Sequence, residues 1–126
     1  MNKEDWKLSK RLRSFGYAFA GIRQLFSQPN ACIHAMVMVL VVAAGFWLHI
    51  SVTEWCVVAL CIGGVLMAEA FNTAIEALAD KVSPGYDPLI KRAKDVAAGA
   101  VLIFVFAAVA VGLMIFLPKF IHYFTV

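Results

Sequence analysis

The chain has 126 residues, 63% of them hydrophobic and 15% charged, with 11 Lys and Arg against 8 Asp and Glu for a net charge of +3. That length allows one domain, 1–126, and the composition lies far from the roughly 45–50% apolar and about 25% charged residues of a soluble domain, which excludes a soluble core and a disordered chain alike. Apolar residues gather in blocks about twenty long, so an all-α membrane protein with three spans is expected, and the modest charge makes no case for nucleic acid.

The first segment, from about Trp6 to Phe26, predicts an amphipathic helix over about 5–27. Leu8, Leu12, Phe15, Phe19, Ile22 and Phe26 recur at alternating spacings of four and three, which at about 100° per residue confines them to roughly 80° of arc. Lys3, Lys7, Lys10, Arg11 and Arg13 fall outside that arc, and Tyr17 projects opposite it. Such a helix lies on a membrane surface, with its basic face toward anionic head groups or phosphates and its aromatic face at the acyl boundary. Some thirty polar and amphipathic residues before the first long apolar run are unlike a cleavable signal peptide.

Gln28, Pro29 and Asn30 interrupt the pattern, and the first span is expected over about 31–50, with His34 near one end and His49 at the other. Ser51 to Glu54 form a turn short enough to require an antiparallel hairpin. The second span, about 55–79, is apolar from Trp55 to Ala68 and then carries Glu69, Asn72, Thr73, Glu76 and Asp80. Ser83-Pro84-Gly85 and Pro88 are turn residues, so Lys81 to Arg92 is expected to be a loop of about a dozen residues. The third span, about 95–117, has no charge in the 22 residues from Val96 to Leu117, about 33 Å of helix. Of the 11 cations, six precede the first span, four lie between the second and third, and one follows the third, which sets the N-terminus and the long loop on the cytoplasmic side. Cys32, Cys56 and Cys61 lack CxxC or Cys/His spacing and read as packing residues.

Glu69 and Glu76 need a chemical reason, because an ionisable group in mid-span costs on the order of 2–3 kcal/mol on insertion scales. Seven residues bring the helix back to within about 20° of its start, and Asn72, Thr73 and Asp80 fall within about 60° of the same line. Glu69 lies about 16 Å from Asp80 along the axis, deep enough to suggest a cation partner or proton transfer, whereas Asp80 is read equally well as an interfacial residue. Two carboxylates about 10 Å apart do not share one small ion, so they have different tasks. Glu76, joined by Asn72, suits a partly hydrated divalent metal, and Glu69 suits a base acting on something from the lipid side. Lys94-Asp95, with Lys91 and Arg92 nearby, is expected at the start of the third helix, where free N–H groups attract phosphate; the same cations also read as a flank that fixes topology. There is no GxxxxGK[ST], no GxGxxG after a strand and no kinase-type catalytic loop.

The run Glu69-Ala70-Phe71-Asn72-Thr73-Ala74-Ile75-Glu76, followed by Ala93-Lys94-Asp95-Val96-Ala97-Ala98-Gly99-Ala100-Val101, resembles the signature of the prokaryotic diacylglycerol kinase family. The likeness covers nearly the whole chain, including the Tyr17, Gly21, Arg23 pattern, and both Ser83-Pro84-Gly85-Tyr86 and Ala97-Ala98-Gly99-Ala100 resemble its undecaprenol kinase branch. The resemblance implies a homotrimeric, multi-pass enzyme of a bacterial inner or plasma membrane, its N-terminus cytoplasmic, that moves the γ-phosphoryl of ATP with Mg2+ onto diacylglycerol or undecaprenol. It implies Glu69 as proton acceptor with Asn72 in the same site, Glu76 as magnesium ligand, and Lys94, Asp95, Tyr17 and the Gly85-Tyr86-Asp87 turn as nucleotide contacts. Lys10, on the basic face of the surface helix, is taken with them. Two departures stand out: Gln28 occupies the place where the family usually has a metal-binding glutamate, implying weaker ligation and a raised magnesium requirement, and Cys32 stands where relatives often carry arginine.

Bottom-up, phosphoryl transfer asks mainly for alignment and charge neutralisation, so a metal carboxylate, a few cations and a helix terminus are sufficient parts. A single three-helix chain is thin cover for so polar a face, which favours a site shared between subunits, and small residues from Ala97 to Ala110 permit close helix packing. The alternative is a small proton-coupled exporter of the multidrug type, with Glu69 exchanging protons against an organic cation. That reading leaves the gathering of acidic and basic groups on one side unexplained. The spans themselves do not distinguish a glycerolipid from a polyprenol.

Overall fold

The computed structural model describes residues 3–125, apart from the side chains of residues 4–6, so the Trp6 side chain lies outside the described residues. These residues form an all-α membrane protein of four helices: α1 (Lys3–Leu25), α2 (Pro29–Trp47), α3 (Val52–Val82) and α4 (Pro88–Thr125). The last three are each long and apolar enough to cross a bilayer. α3 is the hub, with α4 packed along most of it and α2 and α1 touching it more lightly. Leu25 is buried, whereas the α1 stripe from Leu8 to Phe26 is left uncovered by the rest of the chain.

The helix ends differ from the expected ones for identifiable reasons. Pro29 opens α2 rather than interrupting it, because a first-turn proline lacks only an N–H that has no partner there. Ser51 to Glu54 is not a turn but the start of α3: the Ser51 hydroxyl accepts from the Glu54 N–H, and the Glu54 carboxylate accepts from the Ser51 N–H. The hairpin turn is displaced to residues 48–51, where His49 holds a φ of 52°. The expected dozen-residue loop contracts to residues 83–87. α3 runs on through Lys81 to Val82, and α4 begins at Pro88 because the Asp87 carboxylate accepts the N–H groups of Leu89 and Ile90.

Small residues let the spans approach closely. A Cβ on Gly45 would meet the Trp55 ring at 2.6 Å, and one on Gly64 would fall inside the Phe104 ring of α4. At the end of the bundle away from the 83–87 linker, Trp47 lies 5.1 Å from Tyr123 and 6.5 Å from both Phe120 and Phe124, centroid to centroid. Lys119 Nζ sits 3.2 Å from Glu54 Oε1 there, tying α4 to α3. The cysteines depart from expectation: Cys32 and Cys56 are exposed on the chain's outer surface, and Cys61 alone is half-buried.

The Gly64–Phe104 contact yields a stability prediction. Gly64→Val is expected to lower resistance to thermal unfolding in detergent by about 1–3 kcal/mol through overpacking. Gly63→Ala, where a Cβ meets nothing within 4 Å among the described residues, is the control expected to hold the midpoint or raise it, since alanine favours a helix interior over glycine.

Candidate functional site

The polar residues of α3 share one face because 3.6 residues per turn returns positions 69, 72, 76 and 80 to nearly the same direction. Their burial is graded. Glu69 is 3% exposed and Asn72 6%, while Glu76 and Asp80 are exposed. At 1.5 Å per residue from Val52, Glu69 lies about 26 Å along the axis, Glu76 about 36 Å and Asp80 about 42 Å. A hydrocarbon layer is about 30 Å thick, so this face passes from just inside the apolar layer to water. Glu69 and Asn72 are thus covered within a single chain, which the sequence had not led one to expect of three spans.

Within that face the contacts are specific. Asn72 Nδ2 donates to Glu76 Oε1 at 3.3 Å. The Asn72 carbonyl oxygen is buried and has no hydrogen-bond partner among the described residues. His34 of α2 places Nε2 3.8 Å from Glu69 Oε2. Sequence reasoning noted His34 only as a polar interruption of an apolar run; its partner depends on how α2 is rotated against α3.

The cations do not sit where expected. Lys94 and Asp95 lie in the second turn of α4, not at its start, because the helix begins at Pro88; the terminal N–H groups belong to residues ahead of them. Asp87 already answers two of those N–H groups, so the terminus is capped by the chain's own carboxylate. Lys94 Nζ instead pairs with Asp80 Oδ1 across the α3–α4 hairpin, within electrostatic reach of Glu76, and Lys91 pairs with Asp95 at 2.6 Å. Exposed pairs of this kind stabilise by about 0–1 kcal/mol, so their main effect is to fix where the charges stand.

The other expected residues are distributed around this centre. Tyr17 is 75% exposed on α1, where Lys10 also lies exposed. Gln28 is the N-cap residue of α2, and its side chain makes no capping hydrogen bond, so its amide oxygen is not committed to that helix. Gly85 accepts from the Ser83 hydroxyl, and Tyr86 is 80% exposed. Among the described residues the structure thus joins Glu69 to His34, Asn72 to Glu76 and Lys94 to Asp80, and no three His, Cys, Asp or Glu side chains cluster as a closed metal site.

Comparison with known proteins bears on the same stretch of chain. The family model for prokaryotic diacylglycerol kinase matches residues 16–116, from α1 through nearly all of the third span. The chain belongs to the prokaryotic diacylglycerol kinase family. It is 40% identical over 122 residues to the undecaprenol kinase of Bacillus subtilis (strain 168), covering 94% of this chain and 99% of that one. It is also 40% identical over 121 residues to a diacylglycerol kinase of Synechocystis sp., covering 94% of this chain and 69% of that protein. A diacylglycerol kinase of Escherichia coli (strain K12) is 31% identical over 99 residues, 78% of this chain and 81% of the relative. Membership in the diacylglycerol kinase family makes the chain a lipid kinase and disposes of the exporter reading of Glu69.

The unpartnered Asn72 carbonyl yields a second prediction. Asn72→Leu is expected to keep the thermal midpoint in detergent or raise it, by up to about 1 kcal/mol, since it removes a buried acceptor with no donor. A drop of several kcal/mol would show that this oxygen has a partner contributing to the fold.

Proposed function

We propose that this lipid kinase moves the γ-phosphoryl group of ATP, with Mg2+, onto the hydroxyl of a membrane alcohol, at the level where α3 leaves the hydrocarbon. The observation that carries the reading is Glu69: a carboxylate 3% exposed at the inner edge of an apolar span, one turn from Asn72 and two from Glu76. A hydroxyl delivered by the bilayer meets a base at that depth, whereas a soluble alcohol would not reach it.

The remaining roles follow from exposure and charge. Glu69 accepts the hydroxyl proton as the new O–P bond forms and the bond from the γ-phosphorus to the β,γ-bridging oxygen breaks, ADP leaving with that oxygen. Asn72, whose carbonyl is free to accept, orients the alcohol O–H beside Glu69. Mg2+ is commonly held by one or two carboxylates together with phosphate oxygens and water, and an exposed Glu76 steadied by Asn72, with the uncommitted amide of Gln28, fits that requirement. Mg2+ held by these residues would supply charge neutralisation for the phosphates. Lys94 and Asp95, with Lys10, Tyr17 and the turn Gly85-Tyr86-Asp87, hold the nucleotide; Asp87 does so through its backbone neighbours, its carboxylate being committed to α4. The acceptor is diacylglycerol, giving phosphatidic acid, or undecaprenol, giving undecaprenyl phosphate, so the product enters phospholipid or envelope lipid metabolism. End-to-end similarity to the undecaprenol kinase, against partial coverage of the Synechocystis diacylglycerol kinase, favours undecaprenol.

On this reading the protein sits in a bacterial inner or plasma membrane with its N-terminus and the 83–87 linker cytoplasmic, an orientation that the cation distribution supports. A homotrimer accounts for the large apolar side chains that a single chain leaves uncovered, since neighbouring copies and lipid would divide them.

The purified protein in mixed micelles with labelled ATP, offered both lipids in competition, is expected to label undecaprenol in preference to diacylglycerol. Glu69→Gln and Glu76→Gln are each expected to lower turnover by about 10²-fold or more, the scale of a lost base or metal carboxylate. Turnover at the unmodified level in either variant would remove that residue from the mechanism. Gln28→Glu, which restores a charged ligand, is expected to lower the magnesium concentration for half-maximal activity.

A further inference from the structure

Glu69 presents an accounting problem in hydrogen-bond donors. Buried carboxylates are stable as anions only when donors face them, and a proton acceptor must be an anion before it acts. The backbone N–H groups around position 69 are consumed by α3 itself, since Glu69 is in the interior of a 31-residue helix. The nearest amide on its face, Asn72, gives one of its two N–H groups to Glu76. On the facing helix, His34 brings Nε2 to 3.8 Å from Glu69 Oε2, with side-chain exposures of 23% and 4%.

The other side of the imidazole is equally constrained. His34 forms one wall of an apolar cavity of about 170 Å³ between α2, α3 and α4, together with Met38, Val58, Val65, Val105 and Phe116. Among the described residues, that wall carries beside His34 only the weakly polar thiol of Cys61. The carboxylate of Glu69 is therefore the polar partner toward which the ring is drawn, and a side-chain adjustment under about 1 Å brings Nε2 into N–H···O range.

We propose that His34 is a positioning residue for Glu69. Its Nε2–H donates to Oε2, fixes the orientation of the carboxylate at the edge of the hydrocarbon, and turns the other carboxylate oxygen toward the alcohol. This assignment rests on the reading of Glu69 as the base. It requires the Nε2–H tautomer, which a carboxylate acceptor selects. No atom of His34 need touch the nucleotide or the reacting hydroxyl.

The test compares two side chains of similar length, one with an N–H donor and one without. His34→Met is expected to lower kcat on the order of ten- to hundredfold, the worth of a hydrogen bond to a charged group, with KM for ATP within about twofold of the unmodified enzyme. His34→Gln is expected to recover most of that loss, and added imidazole is expected to raise the turnover of His34→Ala in a concentration-dependent way. A structural role would not produce rescue by a donor in solution. His34→Met with unmodified kcat, or a loss relieved neither by Gln nor by imidazole, overturns the proposal. Glu69→Gln measured alongside separates the two claims: turnover retained there removes the base itself, whereas an inactive Glu69→Gln beside a fully active His34→Met removes only the positioning role.

Discussion

Water scarcely reaches the carboxyl group of Glu69, and a charged group buried near the edge of the apolar layer is costly, with an upper bound of about 2–3 kcal/mol, the cost at mid-span. Much of the local structure can be understood as what makes such a residue tolerable. α2 faces it with an imidazole, and α3 itself supplies a polar continuation through Asn72 and Glu76 to water. Close approach of the helices is a precondition, because α2 and α4 can cover that face only if their backbones come near α3. Gly45 beneath Trp55 and Gly64 beneath Phe104 are the places where that approach is bought with a missing side chain.

The short α3–α4 linker has a second effect. With only residues 83–87 between the helices, the acidic end of α3 and the basic start of α4 are held face to face, and Lys94 reaches Asp80. Both recorded pairs in this region, Lys94–Asp80 and Lys91–Asp95, are largely exposed. Exposed pairs exchange partners at little cost, about 0–1 kcal/mol. The cations here are thus ordered in advance yet not strongly committed, which suits the nucleotide contacts proposed for Lys94 and its neighbours.

How much of this was legible in the amino-acid sequence varies with the range of the interaction. Spans and the shared face of Glu69, Asn72 and Glu76 follow from periodicity along one helix, which needs no partner. Ends were harder: Pro29 and Pro88 were read as breakers when each opens a helix, and Ser51 was read as turn when it caps one. The same residue types serve both uses, and the difference lies in whether a carboxylate or hydroxyl nearby answers the first N–H groups. His34 and Lys94 were the least legible, because their partners are set by the rotation and register of one helix against another. A 3.6-residue repeat fixes the direction of a side chain within its own helix, not the neighbour it meets.

Register also decides depth. At the end of the bundle farthest from Glu69, Trp47, Phe120, Tyr123 and Phe124 form an aromatic cluster, and Lys119 pairs with Glu54. Aromatic rings of this kind settle at the membrane interface, so they fix where α3 enters the bilayer. From that point the rise of the helix leaves no freedom: seventeen residues from Val52 carry Glu69 about 26 Å, to the opposite edge of the hydrocarbon. If Glu69 is the base proposed above, its depth relative to a lipid hydroxyl is thereby tied, through helix length, to side chains at the far side of the membrane.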